Sequence, residues 1–304
     1  MTQRKQVAAE ITSALAESSE ILTPGRIVWR RFRKSKLAVL GSIILLFLIV
    51  VAFAAPLLTT HDPNYINMGQ FRRAPSENHL LGTDSLGRDV WARLVYGSRV
   101  SLSVGLVSVS IILLIGVTFG SIAGYFGGLI DDGLMRFTEV IMAFPAFLFT
   151  LTLIAALDGQ GNIFLVMLVL GILGWPGVAR LVRGEFLTLR EREFVLSAKT
   201  LGASHARILF KHILPNAMAP VIVVATLSIA GSILAEAGLS FIGMGAGPNT
   251  PSWGSMLSEA NSRLVLQRYP WLWVPPGLAI LITVLSISFV GDGLRDALDP
   301  RMKE

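Results

Sequence analysis

Six long stretches without a charged residue constrain the fold of this chain more than any other feature. Each has at least 18 residues, and they cover 37–56, 100–130, 140–157, 159–179, 213–235 and 269–291. A helix needs roughly 20 residues to cross the hydrocarbon core of a bilayer, and only helices or closed barrels satisfy the backbone in lipid. The stretches lack the short alternating pattern of barrel strands. We therefore predict an all-α integral membrane protein with six transmembrane helices.

Lysine and arginine are distributed unevenly among the segments that join these stretches. Eight lie in residues 1–36 and seven in 180–211, against five in 57–99 and two in 236–270. Positive charge is enriched on the cytoplasmic side of membrane proteins, so we expect both termini to be cytoplasmic. The net charge of +6 then reports the topology of the chain, and it does not indicate a nucleic-acid ligand.

This topology divides the chain into four segments. They are a cytoplasmic tail (1–36), the first transmembrane helix with an external segment (37–98), a five-helix core with a cytoplasmic helix at about 190–205 (99–291), and a second cytoplasmic tail (292–304). In the external segment, Thr83 or Asp84 is suited to cap a short helix with Leu86 and Val90 on one side. That helix lies either on the outer leaflet or against the other helices, and the sequence leaves both open.

Glycine and proline predict local features of the spans. Gly116, Gly120 and Gly124 follow one another at intervals of four residues in the second stretch. Small residues at that spacing let two helices approach closely in lipid. Pro145 interrupts the third stretch, and we predict a kink there because proline lacks the backbone N–H and its ring clashes with the preceding turn.

The sequence offers few groups for chemistry. It has no cysteine, no phosphate-binding loop with Gly-Lys-Ser or Gly-Lys-Thr, and four scattered histidines that form no His-Glu-x-x-His pair. Glu139, Asp158 and Glu236 fall at the edges of uncharged stretches, where we expect water to reach them. The lack of a carboxylate in mid-membrane disfavours an ion-coupled secondary transporter. We predict no catalytic residue, no bound cofactor and no metal site.

One charged, helix-forming segment separates the fourth and fifth stretches, and we expect it to project into the cytoplasm. Ser197, Ala198, Leu201 and Gly202 recur at i, i+1, i+4 and i+5, which places them on one helical face. Small side chains there allow the groove of another protein to come close. Gly202 weakens or ends the helix, and Pro215 is suited to start the next one. An ordinary amphipathic helix on the membrane surface is the alternative.

This segment resembles the permease subunits of binding-protein-dependent ABC importers. Their signature is Glu-Ala-Ala, three residues, Gly, nine residues, Ile, one residue and Leu-Pro. The chain matches it with the correct spacing at Ala198, Gly202, Leu214 and Pro215. It departs from it with Leu196 for Glu, Ser197 for the first Ala and His212 for Ile.

Two further stretches resemble the dipeptide and oligopeptide (DppC/OppC-type) subfamily of these permeases. The first is His-Leu-Leu-Gly-Thr-Asp-Ser-Leu-Gly-Arg-Asp-Val at 79–90, followed by Tyr-Gly-Ser-Arg at 96–99. The second runs from Met-Arg-Phe at 135–137 to Ala-Phe-Pro at 143–145. The resemblance covers nearly the whole chain from about residue 24.

The resemblance implies the six-helix fold of a type I ABC importer permease in the bacterial inner membrane, with peptides as substrates. It implies a second homologous permease, two ATP-binding subunits that use ATP and Mg²⁺, and a periplasmic or lipid-anchored binding protein. The residues expected to couple the chain to an ATPase are Ser197, Ala198, Leu201, Gly202, Leu214 and Pro215. Related subunits carry glutathione or nickel chelates, and a membrane scaffold without a translocation path is the alternative of another class.

Overall fold

The computed structural model describes residues 24–299. In chain order the helices are α1 (Pro24–Lys34), α2 (Lys36–Phe53), α3 (Ala55–Leu58), α4 (Val90–Phe126), α5 (Gly128–Met142), α6 (Ala146–Ala156), α7 (Ile163–Gly174), α8 (Pro176–Leu189), α9 (Glu193–Thr200), α10 (His205–Arg207), α11 (Leu214–Phe241), α12 (Trp253–Leu257), α13 (Arg263–Arg268) and α14 (Val274–Leu298). The outer parts of the two predicted tails, 1–23 and 300–304, lie outside the described residues.

Within the described part of the chain, five helical segments are long and apolar enough to cross a membrane. They are α2, α4, α7 with α8, α10 with α11, and α14. The pair α5–α6 meets the same criteria as one span bent by 82°, and it supplies the sixth. The bend falls where Pro145 precedes α6, because proline cannot donate to the previous turn. The prediction of six spans with a kink in the third is confirmed.

The glycines of the second stretch lie where α4 packs against α8. A Cβ on Gly120 would come within 2.5 Å of the carbonyl oxygen of Ala179, and one on Gly124 within 2.6 Å of Phe186 Cβ. A Cβ on Gly116 would lie 2.8 Å from Val178 Cβ of the same helix. Atoms other than hydrogen at these positions would push the two backbones apart. The prediction of close helix packing at this spacing is confirmed.

The long helix α4 defines the two ends of the bundle. Near its start, Arg99 donates from Nε and Nη2 to the carbonyls of Ala52 and Phe53, at 2.5 and 3.0 Å. Near its end, the carbonyl of Gly124 accepts from Arg190 Nη1 at 3.2 Å. The start of α2 and the end of α8 therefore lie at the same end of the bundle. We call it the basic end, because α1 and the segment from α8 to α10 carry their lysines and arginines there, and the other the far end.

The C-terminal helix returns the chain to the basic end. Phe32 in α1 packs with Ala38 and Ala297 in one buried cluster, and Arg31 Nη1 donates to the carbonyl of Asp299 at 3.0 Å. Helix α14 is displaced from the predicted stretch 269–291 and continues to Leu298. The boundary predicted between the core and the second tail thus falls inside a helix.

The start of α4 differs from the sequence prediction. The helix begins at Val90, and its cap is Asp89, whose Oδ1 accepts from the backbone N–H of Ala92 at 2.6 Å. The predicted cap at Thr83 or Asp84 is wrong, because Asp84 Oδ1 instead accepts from two backbone N–H groups of a tight turn. Val90 is buried by the protein. Of the two placements left open, the helix therefore packs on its neighbours.

Glu236 also differs from the expectation. It lies near the end of α11 and is fully buried, whereas water was expected to reach it. Its Oε1 accepts from the hydroxyls of Ser240 and Ser252, at 2.7 and 2.8 Å. Ser252 comes from the loop before α12, which folds back over the far end and excludes solvent. Glu139 and Asp158, by contrast, are exposed as predicted.

Candidate coupling site

Helix α9 is a two-turn helix at the basic end, and it lies inside the predicted 190–205 segment. It is joined to α8 by a short turn and to α10 by residues 201–204. Val195 and Ala198 are buried, and their spacing of three residues makes a narrow apolar stripe. The other side chains of α9 are exposed. The helix therefore has one anchored face and one free face.

The anchored face belongs to a large buried cluster. Val195 and Ala198 join Phe186 of α8, Ile208 of the α10–α11 segment and Ala217 of α11 in it. This cluster continues between α4, α8 and α11, so α9 contacts the ends of two spanning segments at once. Interiors packed in this way transmit displacement rather than absorb it. A force on α9 is thus carried into the spans.

The free face exposes apolar side chains. Leu201 is 86% exposed, Leu196 49% and Phe194 42%. Leu196 and Leu201 also line a shallow depression of about 550 Å³, together with Glu193, Ser197 and Thr200. Apolar side chains grouped on a projecting helix are typical of a protein-binding surface.

The structure divides the predicted coupling residues between these two faces. Ser197, Leu201 and Gly202 are exposed, whereas Ala198 is buried. The single small-residue face predicted from the spacing is therefore split. Leu214 is half-buried beside the core cluster, and Pro215 is exposed at the start of α11. Sequence reasoning missed Phe194, and it read Leu196 only as a departure from the signature.

Gly202 ends α9 through its backbone conformation. Its φ is +78°, and the N–H of Ala203 donates to the carbonyl of Ala198 at 3.0 Å, as in a left-handed helix cap. The chain then resumes helical structure at His205 and runs through a π-helical turn into α11. Pro215 lies in the first turn of α11, as predicted. Helical structure nevertheless resumes ten residues before Pro215, because Ser204 caps α10 by accepting from the N–H of Arg207.

Polar contacts hold α9 and its surroundings to the end of α4. The hydroxyl of Tyr125 lies 2.7 Å from His205 Nδ1, and the ammonium of Lys199 lies 6.0 Å from the Tyr125 ring centre. Beside them, Arg183 of α8 donates to both carboxylate oxygens of Asp131 in α5, at 2.5 and 2.6 Å. Paired hydrogen bonds of this kind fix orientation as well as distance. The basic end is therefore a connected layer across four spans.

A second polar cluster stabilises the far end. Arg88 Nε donates to Asp84 Oδ2 at 2.6 Å, and Arg93 Nε lies 3.7 Å from the same oxygen. The backbone N–H of Ser85 donates to Glu259 Oε2 at 3.2 Å. Burial, followed by the charge of Asp84, raises the pKa of Glu259 above its usual range. These contacts tie the segment before α4 to the segment after α12, so the far end presents a fixed surface.

Two models of known protein families match this chain. Residues 116–304 match the family model described as binding-protein-dependent transport system inner membrane component. That match covers more than half of the chain and includes α8, α9 and the start of α11. The chain belongs to this family. Residues 23–75 separately match the N-terminal transmembrane domain of oligopeptide transport permease C.

Curated relatives match along almost their full length. The dipeptide transport system permease protein DppC of Alkalihalophilus pseudofirmus is 42% identical, over 93% of this chain and 91% of the relative. The glutathione transport system permease protein GsiD of Pectobacterium atrosepticum is 40% identical over 96% of each chain. The oligopeptide transport system permease protein OppC of Bacillus subtilis is 41% identical, over 90% of this chain and 88% of the relative.

A solved structure shows the same fold. The MetNI methionine ABC transporter in an inward-facing conformation matches with a TM-score of 0.54 at 19% identity, over 68% of this chain and 96% of that one. The chain is thus a multi-pass membrane protein with the type I ABC importer permease fold. As a permease subunit it is a transport component rather than an enzyme, and it works with other subunits of an ABC transporter.

Proposed function

We propose that this permease imports short peptides and that α9 couples it to an ATPase subunit. Its partners in this proposal are a second homologous permease, two ATP-binding subunits that hydrolyse ATP with Mg²⁺, and a periplasmic or lipid-anchored binding protein. The chain itself binds no nucleotide. The basic end and both termini are cytoplasmic, and the far end faces the binding protein across the inner membrane.

The two faces of α9 carry this proposal. The free face offers Leu196 and Leu201 to a groove of the ATPase, and the anchored face joins α9 to the cluster between α4, α8 and α11. A movement of the ATPase therefore shifts the ends of the spans together with α9. Coupling of this kind biases a bundle between two arrangements.

The names of the relatives support short peptides as the substrate class. Their names specify dipeptides, oligopeptides and glutathione, and glutathione is itself a tripeptide derivative. All three identities fall between 40% and 42%, so they support short peptides as a class without favouring one member. The binding protein then selects the particular peptide.

Gly202→Asp tests the coupling role. Gly202 is exposed and a Cβ there would meet no atom within 4 Å, so the substitution leaves the bundle intact but places a charge and a side chain beside the free face. We expect ATP-dependent uptake of a radiolabelled dipeptide to fall at least tenfold. We also expect the ATPase subunits to be lost during purification in mild detergent, a readout that does not depend on the substrate.

Gly243→Asp is the matched control. Gly243 lies at the far end, has a φ of +84° and is equally open, so it carries the same backbone strain. This variant should retain the ATPase subunits. Normal uptake and ATPase retention in Gly202→Asp at normal abundance would contradict the coupling role, and so would equal loss of the ATPase in both variants. If the wild-type protein retains the ATPase subunits but takes up no peptide, the result would instead contradict the substrate class.

A further inference from the structure

Two histidines that are distant in the sequence meet at the far end. His61 follows α3, and His79 lies in the irregular segment before α4. Their ring centres are 5.1 Å apart. One nitrogen from each ring and one carboxylate oxygen of Asp89 lie within 4.8 Å of one another. His79 and Asp89 are buried, whereas His61 is exposed.

The contacts of His79 are compatible with the role of a metal ligand. Its Nδ1 lies 2.8 Å from Asp89 Oδ2, and its Nε2 lies 2.6 Å from Gln70 Oε1. A neutral imidazole carries only one N–H, and the amide of Gln70 can present either its oxygen or its NH2 group to Nε2. With the proton on Nε2, the lone pair of Nδ1 faces Asp89, and a metal ion bound to both atoms would replace their hydrogen bond.

We propose that His61, His79 and Asp89 form a binding site for a divalent transition-metal ion, with Zn²⁺ as its best-suited occupant. Imidazole nitrogens with a carboxylate are a common ligand set of zinc, and a fourth position remains for water. Ligands of one zinc ion lie closer together than 4.8 Å, since each bond is about 2.0–2.2 Å long. His61, which is exposed and makes no ring hydrogen bond within residues 24–299, is the side chain that closes this distance.

The surroundings of the three residues fit a metal site. Gln70 orients His79 through Nε2, and Asp89 Oδ1 is fixed by the backbone N–H of Ala92. Partners of this kind position metal ligands and set the tautomer of a histidine. His61 also lines an open depression of about 750 Å³, so solvent reaches this ligand of the proposed site.

A bound ion would join two parts of the chain. His61 belongs to the segment that leaves the first span, and Asp89 caps the helix that forms the second. The ion therefore fastens the start of α4 to the end of the first span. We expect the consequence to be stabilisation of the far end, measured as a higher thermal midpoint in the presence of Zn²⁺.

His61→Ala is the decisive variant, because it removes one ligand and leaves the buried pair of His79 and Asp89 in place. Zn²⁺ binding is measured on the full chain in detergent, with the subunits that co-purify with it and no affinity tag. We expect the wild-type protein to bind one Zn²⁺ more per chain than His61→Ala, or to bind it at least tenfold more tightly. Zn²⁺ should raise the thermal midpoint of the wild type by several degrees more than that of the variant.

Two controls accompany this variant. His212→Ala removes a histidine at the basic end and should bind Zn²⁺ like the wild type, as should Asp62→Asn, which removes the carboxylate next to His61. When a chelator has removed metal ions, His61→Ala and the wild type should have the same thermal midpoint. This result would show that the variant is folded. Equal Zn²⁺ binding by wild type and His61→Ala, or no binding by either, would overturn the proposal, and a proton would then occupy the position beside Nδ1.

Discussion

The burial of Glu236 could not be predicted from the sequence. Glu236 falls at the boundary between an uncharged stretch and a polar loop, and such positions are usually exposed to water. The structure buries it because Ser252, sixteen residues later, returns to it and donates to the same oxygen as Ser240. A Cβ on Gly254 would lie 3.1 Å from Glu236 Oε2, so the loop approaches closely on that side as well. The carboxylate thus fastens the start of α12 to α11.

Replacement of Glu236 separates its hydrogen bonds from its charge. Glu236→Ala leaves two buried serine hydroxyls without their acceptor and opens a cavity, and we expect it to cost roughly 2–4 kcal/mol of stability. Glu236→Gln keeps an oxygen for both hydroxyls and should cost about 1 kcal/mol. Thermal unfolding in detergent measures both. Equal midpoints for the two variants would show that the hydroxyl contacts contribute little.

At the scale of elements, the pairing of α4 with α8 is set by glycine. The two helices approach at Gly116, Gly120 and Gly124, and the nearest atoms belong to backbone or to Cβ groups. Neither kind of atom moves without the helix moving. The pairing fixes the position of α8, which Arg183 also joins to Asp131 of α5. Because α9 follows α8 directly, the pairing also determines the position of α9.

Gly120→Ala tests this pairing. A methyl group there would lie 2.5 Å from the carbonyl oxygen of Ala179, so the helices must separate, at a cost of roughly 1–3 kcal/mol. Gly133→Ala is the control, because Gly133 lies in α5 with no atom within 4 Å of the added Cβ. We expect that change to be neutral or stabilising by up to about 1 kcal/mol. Thermal midpoints of both variants provide the comparison, and a stable Gly120→Ala would contradict tight packing here.

At the scale of the whole molecule, the two ends of the bundle have different roles in the proposed function. The basic end carries α9 with its free apolar face, and the far end carries the fixed polar cluster around Asp84 and the histidine pair. Alternating access requires that a signal from one end reaches the other through the spans. Helix α4 extends the full distance and contacts both, since Arg99 holds the end of α2 and Gly124 holds Arg190.

The orientation of these ends is measurable with single cysteines, because the chain has none of its own. Leu201→Cys at the basic end and Leu80→Cys at the far end replace side chains that are 86% and 63% exposed. We expect a membrane-impermeant maleimide to label Leu80→Cys in cells whose outer barrier has been opened. Leu201→Cys should react only after the inner membrane is disrupted. Labelling of Leu201→Cys from outside would contradict the cytoplasmic placement of α9.

Features that depend on composition and short spacing could be predicted from the amino-acid sequence. The lengths of the uncharged stretches predicted six spans, Pro145 predicted the bend, and the four-residue glycine spacing predicted a close helix pair. Each of these three predictions depends only on residues close together in the sequence, because the lipid environment restricts every residue of a span in the same way. The signature around Gly202 located the helix that projects from the bundle, and the family matches agree with it.

Features that depend on residues far apart in the chain are visible only in the folded protein. Folding buries Ala198 and exposes Leu196, because α8 and α11 close over one side of α9 only. The observed cap of α4 is Asp89 and not the predicted Thr83 or Asp84, because Asp84 instead contacts its own turn and the side chains of Arg88 and Arg93. Folding also brings His61 to His79. Burial and proximity arise from the packing of distant segments, and no local spacing encodes them.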